Sequence, residues 1–275
     1  MHKPRKRFGQ NFLIDPFTIQ HIIQSLNVDP QSQTHVIEIG PGQGALTKPL
    51  LSQVKQLTLI EIDRDLAESL YQKYGQQNGV TILCEDALRF DFKTLYDGES
   101  SDAKLKIIGN LPYNISTPIL FHLFSFNSYI KDMCFMLQKE VVDRMTAEPN
   151  SKEYGRLSIM TQYFCQVQPL FSVPPTAFFP APKVQSAVVR LIPHATMDPI
   201  TQSEGFYACF DRVVKTAFSK RRKTILNALK ELLNQEAFLE LKINPLLRAE
   251  NLSVQDYIQI GHYLNTKQDN SYERN

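Results

Sequence analysis

The chain of 275 residues is poor in cysteine, in net charge and in long apolar runs, and each scarcity excludes a class of protein. No stretch approaches the length of a membrane span, and the charged amino terminus has no apolar run after it, so we expect neither a membrane protein nor a secretory signal. The scattered histidines indicate no metal. The cysteines form no close pair, which excludes a zinc site, a redox dithiol and a disulfide framework and favours the cytoplasm; they are Cys84, Cys134, Cys165 and Cys209.

Basic residues are clustered, although the net charge is only +2. One cluster lies in the first seven residues, at Lys3, Arg5, Lys6 and Arg7, and a second is the run 220–223. Two local clusters on a nearly neutral protein predict a face that binds a polyanion. A solvated tail and a solvated helix face remain the alternative.

The first two thirds of the chain alternate short apolar runs with amphipathic stretches, which is typical of a parallel α/β sheet. Nearly continuous apolar runs fit strands that are covered on both faces. Strands are predicted over 35–39, 57–62, 80–84, 105–108 and 133–137, with two more over 168–173 and 186–192 around a Pro-rich loop. Helices are predicted over 15–26, 45–53, 65–74, 116–124 and 157–164.

The composition changes near residue 194, after which the pattern indicates helices only. These are predicted over 203–217, 222–233, 236–241 and 253–264. We therefore predict two domains, an α/β domain over residues 1–194 and a small all-helical domain over residues 195–275.

Four successive predicted strands each end in a polar or glycine-rich group. Because parallel α/β sheets bind ligands at the carboxyl ends of their strands, these groups are expected to meet in one site. In chain order they are the loop Gly40-Pro-Gly42-Gln-Gly44, then Glu61 with Asp63 in reserve, then Asp86, and then Asn110-Leu111-Pro112-Tyr113.

The last of these groups is the most informative. The Asn110 side-chain oxygen and the Leu111 carbonyl, held rigid by Pro112, can both accept hydrogen bonds from one exocyclic amine, while the Tyr113 ring stacks on its heterocycle. Two acceptors leave the amine lone pair less conjugated and more nucleophilic, as methylation of an adenine amine requires. A tight turn is the alternative. Phe178, in the Pro-rich loop, is a candidate second ring, although a core position is the more common role of such a residue.

The glycine loop alone is ambiguous, because it also satisfies the loose dinucleotide fingerprint, which makes an NAD enzyme the rival class. Asp86 after the third strand suits a hydrogen bond from an adenine amine, which completes the recognition of a single nucleoside. No histidine and arginine pair for hydride transfer follows. S-adenosylmethionine is therefore the favoured cofactor.

These motifs together resemble the kasugamycin-sensitivity family of small-subunit (16S) ribosomal RNA adenine N6,N6-dimethyltransferases. The resemblance runs from Arg5 to about Ile260. It is carried by residues 6–13, 38–47, 61–63, 85–87, 109–116, 178–186, 221–224 and 248–252.

The resemblance implies a Rossmann-like class I S-adenosylmethionine-dependent methyltransferase domain with a mostly parallel seven-stranded sheet, followed by a helical domain that binds RNA or the ribosome. It implies a cytoplasmic ribosome-biogenesis enzyme that is a monomer. It also implies transfer of four methyl groups to two adjacent adenosines in a hairpin loop near the 3′ end of 16S rRNA, in an assembling small subunit.

The resemblance also implies residue roles at matching positions. Tyr113 and Phe178 would stack the target base, and the run Arg221-Arg222-Lys223 would contact RNA phosphates. The donor-binding residues would be Asn11, Leu13, Gly40, Gly42, Glu61, Asp86, Ala87 and Asn110.

Two alternatives share much of this pattern. One is the same catalytic domain acting on large-subunit RNA or on DNA adenines, although the Lys183 loop and the helical tail favour the small-subunit enzyme. The other is a non-catalytic RNA-binding assembly factor, which could tolerate loss of donor contacts. Because Glu61, Asp86, Asn110 and Tyr113 are all present, an active enzyme is favoured.

Overall fold

The computed structural model describes residues 11–96, 104–195, 201 and 203–272, so the amino-terminal basic cluster lies outside the described residues. The chain divides into two compact units. The first contains residues 11–142 and Gln166–Pro193, and the second contains Asp143–Cys165 and the described residues from His194 onwards. The division predicted at residue 194 falls beside the last of these junctions, but Asp143–Cys165 clusters with the later residues.

A seven-stranded sheet runs through the first unit. Its strands are β2 His35–Ile39, β3 Gln56–Ile60, β4 Val80–Leu83, β5 Leu105–Asn110, β6 Ile130–Gln138, β7 Cys165–Val173 and β9 Ser186–Pro193. They lie in the order β4-β3-β2-β5-β6-β9-β7. Pairings among β2 to β6 are parallel, and β9 pairs with β6 in the antiparallel direction. The predicted mostly parallel, seven-stranded sheet is therefore confirmed.

A separate two-stranded ribbon joins β1 (Phe12–Leu13) to β8 (Phe178–Phe179). It ties the segment before the first helix to the Pro-rich loop, and the Ile14 amide extends the connection by donating to the Ala177 carbonyl at 2.9 Å. Strands of two residues carry no periodicity, so sequence patterns do not predict them.

Helices flank the strands of the first unit. The first begins where the Asp15 carboxylate accepts a hydrogen bond from the Thr18 amide at 2.8 Å, with Pro16 in the first turn. The second is shorter than predicted, because the residues on either side of it, 42–46 and 51–53, form turns. The helices up to the end of β6 are α1 Pro16–Ser25, α2 Thr47–Leu50, α3 Arg64–Tyr74 and α4 Ser116–Phe124.

The core of the first unit is apolar and is built on the central strands. Val36, Ile37, Leu59 and Ile107 have no more than 1% of their surface exposed. At the carboxyl end of the sheet, a Cβ on Gly109 would lie 2.6 Å from the Ile39 carbonyl oxygen. Glycine therefore lets β5 and β2 approach closely at the edge where the predicted site residues lie.

The remaining helices belong mainly to the second unit, whose core is aromatic. The rings of Phe206 and Phe210 are stacked, with centroids 5.7 Å apart, and Tyr257 is fully buried. The predicted helical carboxyl-terminal region is confirmed. Its helices, with α5 at the junction, are α5 Lys139–Thr146, α6 Arg156–Phe164, α7 Phe206–Ser219, α8 Ile225–Leu229, α9 Gln235–Glu240 and α10 Val254–Tyr272. In the described part of the chain, no helix has the length and apolar character needed to cross a bilayer.

Candidate functional site

A cleft opens at the carboxyl ends of β2, β3, β4 and β5, and it brings together almost all of the predicted site residues. The four strand ends and the segment around β1 line it. The predicted residues found in its wall are Asn11, Leu13, Gly40, Gly42, Glu61, Asp86, Ala87, Asn110, Leu111, Pro112 and Tyr113.

The loop after β2 brings backbone to the cleft. Gly42 has a left-handed φ of +59°, and a Cβ there would lie 3.2 Å from the Phe12 ring. Its amide donates to the Glu61 carboxylate (Oε2) at 3.0 Å. Only glycine combines this conformation with this proximity, so the loop can lie against both a ligand and the β1 segment.

Glu61 follows β3 and is almost buried, with 5% of its surface exposed. One carboxylate oxygen accepts from Gly42, and the other accepts from the Asp63 amide at 2.9 Å. Burial raises the pKa of Glu61, and these backbone hydrogen bonds oppose that rise. A carboxylate oxygen has two lone pairs, so each can still accept from a ribose hydroxyl. Asp63, the reserve candidate, caps α3 through the Asp65 amide and is buried, which assigns it a structural role.

Glu38 also lines the cleft and was not among the predicted site residues. It is 2% exposed and accepts a hydrogen bond from the Thr47 hydroxyl at 2.6 Å. Burial raises the pKa of Glu38 to about 8, against the opposing Thr47 hydrogen bond and with a smaller contribution from nearby Glu61. Burial therefore favours the neutral form of this carboxyl group in the wall of the cleft. The sequence signal was its place two residues before Gly40 of the glycine loop.

Asp86 and Ala87 form the part of the cleft that follows β4. One Asp86 oxygen accepts from the Leu88 amide at 3.0 Å, which fixes the turn and leaves the other oxygen to accept from an amine. Ala87 is 7% exposed and presents a small apolar surface next to it. An acceptor beside a flat apolar surface suits a purine base.

The Asn110 amide is oriented from outside its own motif. Its nitrogen donates to the backbone carbonyl of Asn11 at 3.0 Å, so its oxygen is the atom left to accept. The amide of Leu111 donates to the Met136 carbonyl at 3.2 Å, and the Leu111 side chain is buried. The Asn110 side chain and the Leu111 backbone amide are therefore both held in place by residues outside the motif.

The Tyr113 ring lines the cleft and is half-buried. Its hydroxyl lies 3.0 Å from the Ser186 hydroxyl at the start of β9, where Ser186 is 1% exposed. Because this bond holds the far end of the ring, it limits how the ring can tilt. Ser186 belongs to the motif 178–186 but had no predicted role, since only the fold shows that it reaches Tyr113.

Phe178 is not among the residues that line the cleft, and its role in stacking the target base stays a prediction. It is 4% exposed and belongs to the same core cluster as Leu13, with which it pairs across the ribbon. The physical reason is the alternation of side chains along a strand, which turns Phe178 inward and Phe179 outward.

The predicted RNA-binding run lies in the second unit, before α8. Arg221 forms an ion pair with Glu250 at 3.1 Å and also donates to the Lys152 carbonyl at 2.9 Å. Arg222 and Lys223 are exposed. Arg222 and Lys223 are therefore more exposed than Arg221, whose guanidinium is held by these two partners.

Comparison with known proteins decides the family. The family model described as ribosomal RNA adenine dimethylase matches residues 1–266. The chain belongs to this family. Among the described residues of this adenine dimethylase, no three histidine, cysteine, aspartate or glutamate side chains are arranged to hold a metal ion.

Individual relatives agree with the family. The ribosomal RNA small subunit methyltransferase A of Histophilus somni is 52% identical over 266 residues, which cover 96% of this chain and 93% of the relative. The protein of the same name from Coxiella burnetii is 51% identical over 95% of this chain and 98% of its own length. A crystal structure of a dimethyladenosine transferase from Plasmodium falciparum superposes with a TM-score of 0.77 at 26% identity, covering 94% of this chain and 98% of that one.

These findings confirm several predictions made from the sequence. This adenine dimethylase is an S-adenosylmethionine-dependent rRNA adenine dimethyltransferase with a Rossmann-like fold. The family assignment excludes an NAD enzyme, which the glycine loop alone had left as the rival class. The non-catalytic alternative is also disfavoured, because Asn110, Tyr113, Glu61 and Asp86 line one cleft.

Proposed function

We propose that the cleft binds S-adenosylmethionine and one flipped adenosine together, and that the enzyme dimethylates two adjacent adenosines in a hairpin loop near the 3′ end of 16S rRNA. The observation that carries this proposal is the orientation of Asn110, whose amide oxygen is left to accept in a cleft that also contains the Tyr113 ring. The substrate RNA belongs to an assembling small subunit.

The residues of the cleft fit the donor. Glu61 accepts from the ribose hydroxyls, Asp86 accepts from the adenine amine, and Ala87 contacts the purine face. Asn11, Leu13, Gly40 and Gly42 enclose the remaining part. When bound, S-adenosylmethionine supplies a methyl group on a cationic sulfur. The chain's task is to align a nucleophile with that carbon, which is where proximity and orientation contribute most.

The nucleophile is prepared by Asn110 and Leu111. The Asn110 oxygen and the Leu111 carbonyl accept the two protons of the target amine, which draws them out of the plane of the base and frees the lone pair. The same acceptors stabilise the positive charge that develops on nitrogen. No base of unusual pKa is needed, because the amine becomes acidic as it gains its methyl group.

The target base is held by stacking on Tyr113. Extraction of an adenine from its helical stack costs a few kcal/mol, and one aromatic partner returns about 1–3 kcal/mol. Single-stranded loops reduce that cost, because their bases are already partly unstacked. A hairpin loop is therefore the kind of RNA from which this cleft can take a base.

The second unit is proposed to contact RNA phosphates. Arg222 and Lys223 carry that role, while Arg221 is partly committed to Glu250. In this proposal residues 1–194 hold the donor and the target base, residues 195–275 bind RNA, and the enzyme works as a cytoplasmic monomer without a metal.

Mapping of modified positions tests this function. The protein is incubated with isotopically labelled donor and with small subunits that lack the modification, and the modified nucleotides are located by mass spectrometry. We expect label in two adjacent adenosines as N6,N6-dimethyladenine. Parallel reactions contain large subunits or adenine-bearing duplex DNA. Preferential labelling of either would contradict the proposal and favour the corresponding alternative substrate.

A further inference from the structure

The register of the β1–β8 ribbon decides which side chains share a face. Phe12 pairs with Phe179, and Leu13 pairs with Phe178, in the antiparallel direction. Residues directly opposite each other on antiparallel strands project to the same side. Leu13 and Phe178 are 5% and 4% exposed and lie in one core cluster. Phe12 and Phe179 therefore share the opposite face.

The ribbon borders the cleft, and residues of both its faces, Phe12 and Leu13, line it. The Phe12 ring is within 3.2 Å of the place where a Cβ on Gly42 would lie. Phe179 is its direct cross-strand neighbour and is 59% exposed. Directly paired Cβ atoms are about 4.5–5.5 Å apart. A largely exposed aromatic ring therefore stands immediately beside the cleft wall.

The surroundings of Phe179 fit a nucleotide. Pro180 and Lys183, in the same loop, are exposed. An aromatic surface with a cation nearby is the usual composition of a site for unpaired nucleotides, since the ring stacks on the base and the cation attracts the phosphate. An exposed Phe ring beside such a cleft is stabilised more by stacking on a nucleobase than by contact with water.

We propose that Phe179 is a stacking surface for the unpaired nucleobase next to the target adenine. The inference rests on the proposed function, because it assumes that one adenine occupies the Asn110–Tyr113 site. When that adenine is drawn into the cleft, its neighbour loses a stacking partner. Phe179 replaces the lost partner, and it thereby favours substrates whose neighbouring residue is unpaired.

Steady-state kinetics with unmodified small subunits test the proposal. Phe179→Ala should raise KM for subunits by about 5- to 20-fold, as expected for loss of one stacked base, while kcat and donor affinity stay near those of the wild type. Phe179→Trp should keep the wild-type KM, because it retains an aromatic face. Phe179→Leu should behave like Phe179→Ala, because an apolar chain without a ring cannot stack.

Tyr71→Ala is the matched control, since Tyr71 is 56% exposed on α3 and does not line the cleft. It should leave KM unchanged. An unchanged KM in Phe179→Ala would overturn the inference while leaving the proposed function intact. A wild-type KM in Phe179→Leu would also overturn it, because it would indicate an apolar contact, such as one with a ribosomal protein. Failure of the wild type itself to methylate subunits would instead refute the proposed function.

Discussion

Two side chains of the Asn110–Tyr113 motif are held by partners far away in the sequence. The Asn110 nitrogen is bound by the Asn11 carbonyl, and the Tyr113 hydroxyl by Ser186. Each bond removes a rotation from a group that is proposed to contact the target adenine. Such preorganisation matters for methyl transfer, because small errors in alignment reduce the rate strongly.

A double-mutant cycle tests the Tyr113–Ser186 bond. Tyr113→Phe and Ser186→Ala each remove it, and each should lower kcat/KM by about 3- to 10-fold, the equivalent of one ordinary hydrogen bond. The double variant should lose no more than either single variant, since the bond can be removed only once. Methyl transfer to small subunits is the measurement, with calorimetry to show that donor affinity is kept. Effects that multiply in the double variant would mean that the two hydroxyls act separately.

Glu38 is a carboxyl group whose neutral form is favoured by burial. Burial raises its pKa from 4.5 to about 8, so over that interval the folded chain binds one more proton than the unfolded chain. The free energy of unfolding therefore decreases as pH rises through this interval and levels off above it. Glu61, whose pKa is also raised by burial, acts in the same direction.

Glu38→Gln should make the free energy of unfolding less dependent on pH. The amide keeps an oxygen for the Thr47 hydroxyl but has no proton to lose. Glu38 contributes a slope of at most about 1.4 kcal/mol per pH unit, which the variant should lack. Urea unfolding at pH 5.5, 6.5 and 7.5, followed by circular dichroism, measures it. Parallel curves for the two proteins would show that Glu38 is ionised in the folded state.

At the scale of elements, a buried charge network joins three strands of the sheet. Asp132 on β6 forms ion pairs with Lys106 on β5 at 3.0 Å and with Arg190 on β9 at 2.6 Å. Lys106 and Asp132 are each 3% exposed in their side chains. Burial lowers the pKa of Lys106, and Asp132 opposes that effect. Asp132 is thus the counter-charge of a buried cation on β5, Lys106, and of a half-buried cation on β9, Arg190.

Asp132→Ala should be severely destabilising. It leaves Lys106 without its counter-charge in the sheet, and loss of one partner of a buried pair costs about 3–5 kcal/mol. Asp211→Ala is the control, because its ion pair with Arg156 is partly exposed and should contribute less than about 1 kcal/mol. Denaturant unfolding compares both with the wild type. Equal, small losses would indicate that Lys106 is neutral in the folded chain.

Continuous apolar runs made the sheet predictable. The strands from β2 to β6 were located within a few residues, because burial on both faces produces runs such as His35–Ile39. The ribbon was missed, since two-residue strands depend on a partner far away in the chain. The register of that ribbon turns Phe178 inward and Phe179 outward, and no local pattern predicts it.

The site was predictable for a related reason. Parallel strands end at one edge, so residues at strand ends, such as Glu61 and Asp86, could be placed together from the sequence. Contacts between residues far apart in the sequence could not be predicted in this way. The Asn110–Asn11 bond spans 99 residues and the Tyr113–Ser186 bond spans 73, and no local pattern encodes either.

At the scale of the whole molecule, the cleft lies in the first unit and the exposed basic run lies in the second. The net charge of +2 gives little general attraction to RNA, so local clusters must provide it. Arg222 and Lys223 are exposed, whereas Arg221 is tied to Glu250.

Charge reversal separates phosphate contacts from net charge. Arg222→Glu should weaken binding to small subunits and reduce the slope of log affinity against log salt by about one. Lys73→Glu, on the exposed side of α3, makes the same change in net charge and should leave the slope unaltered. Filter binding over a range of salt concentrations measures both. Equal slopes for the two variants would mean that the basic run is a solvated surface that makes no phosphate contact.

Asn110 is the acceptor that is proposed to prepare the target amine, and one comparison of variants tests that role. Asn110→Ala is assayed for methyl transfer to unmodified small subunits and for donor affinity by calorimetry, beside Asn78→Ala, an exposed asparagine outside the cleft. We predict loss of transfer by at least about 100-fold in Asn110→Ala, with a much smaller loss of donor affinity. Undiminished dimethylation by Asn110→Ala would contradict the account.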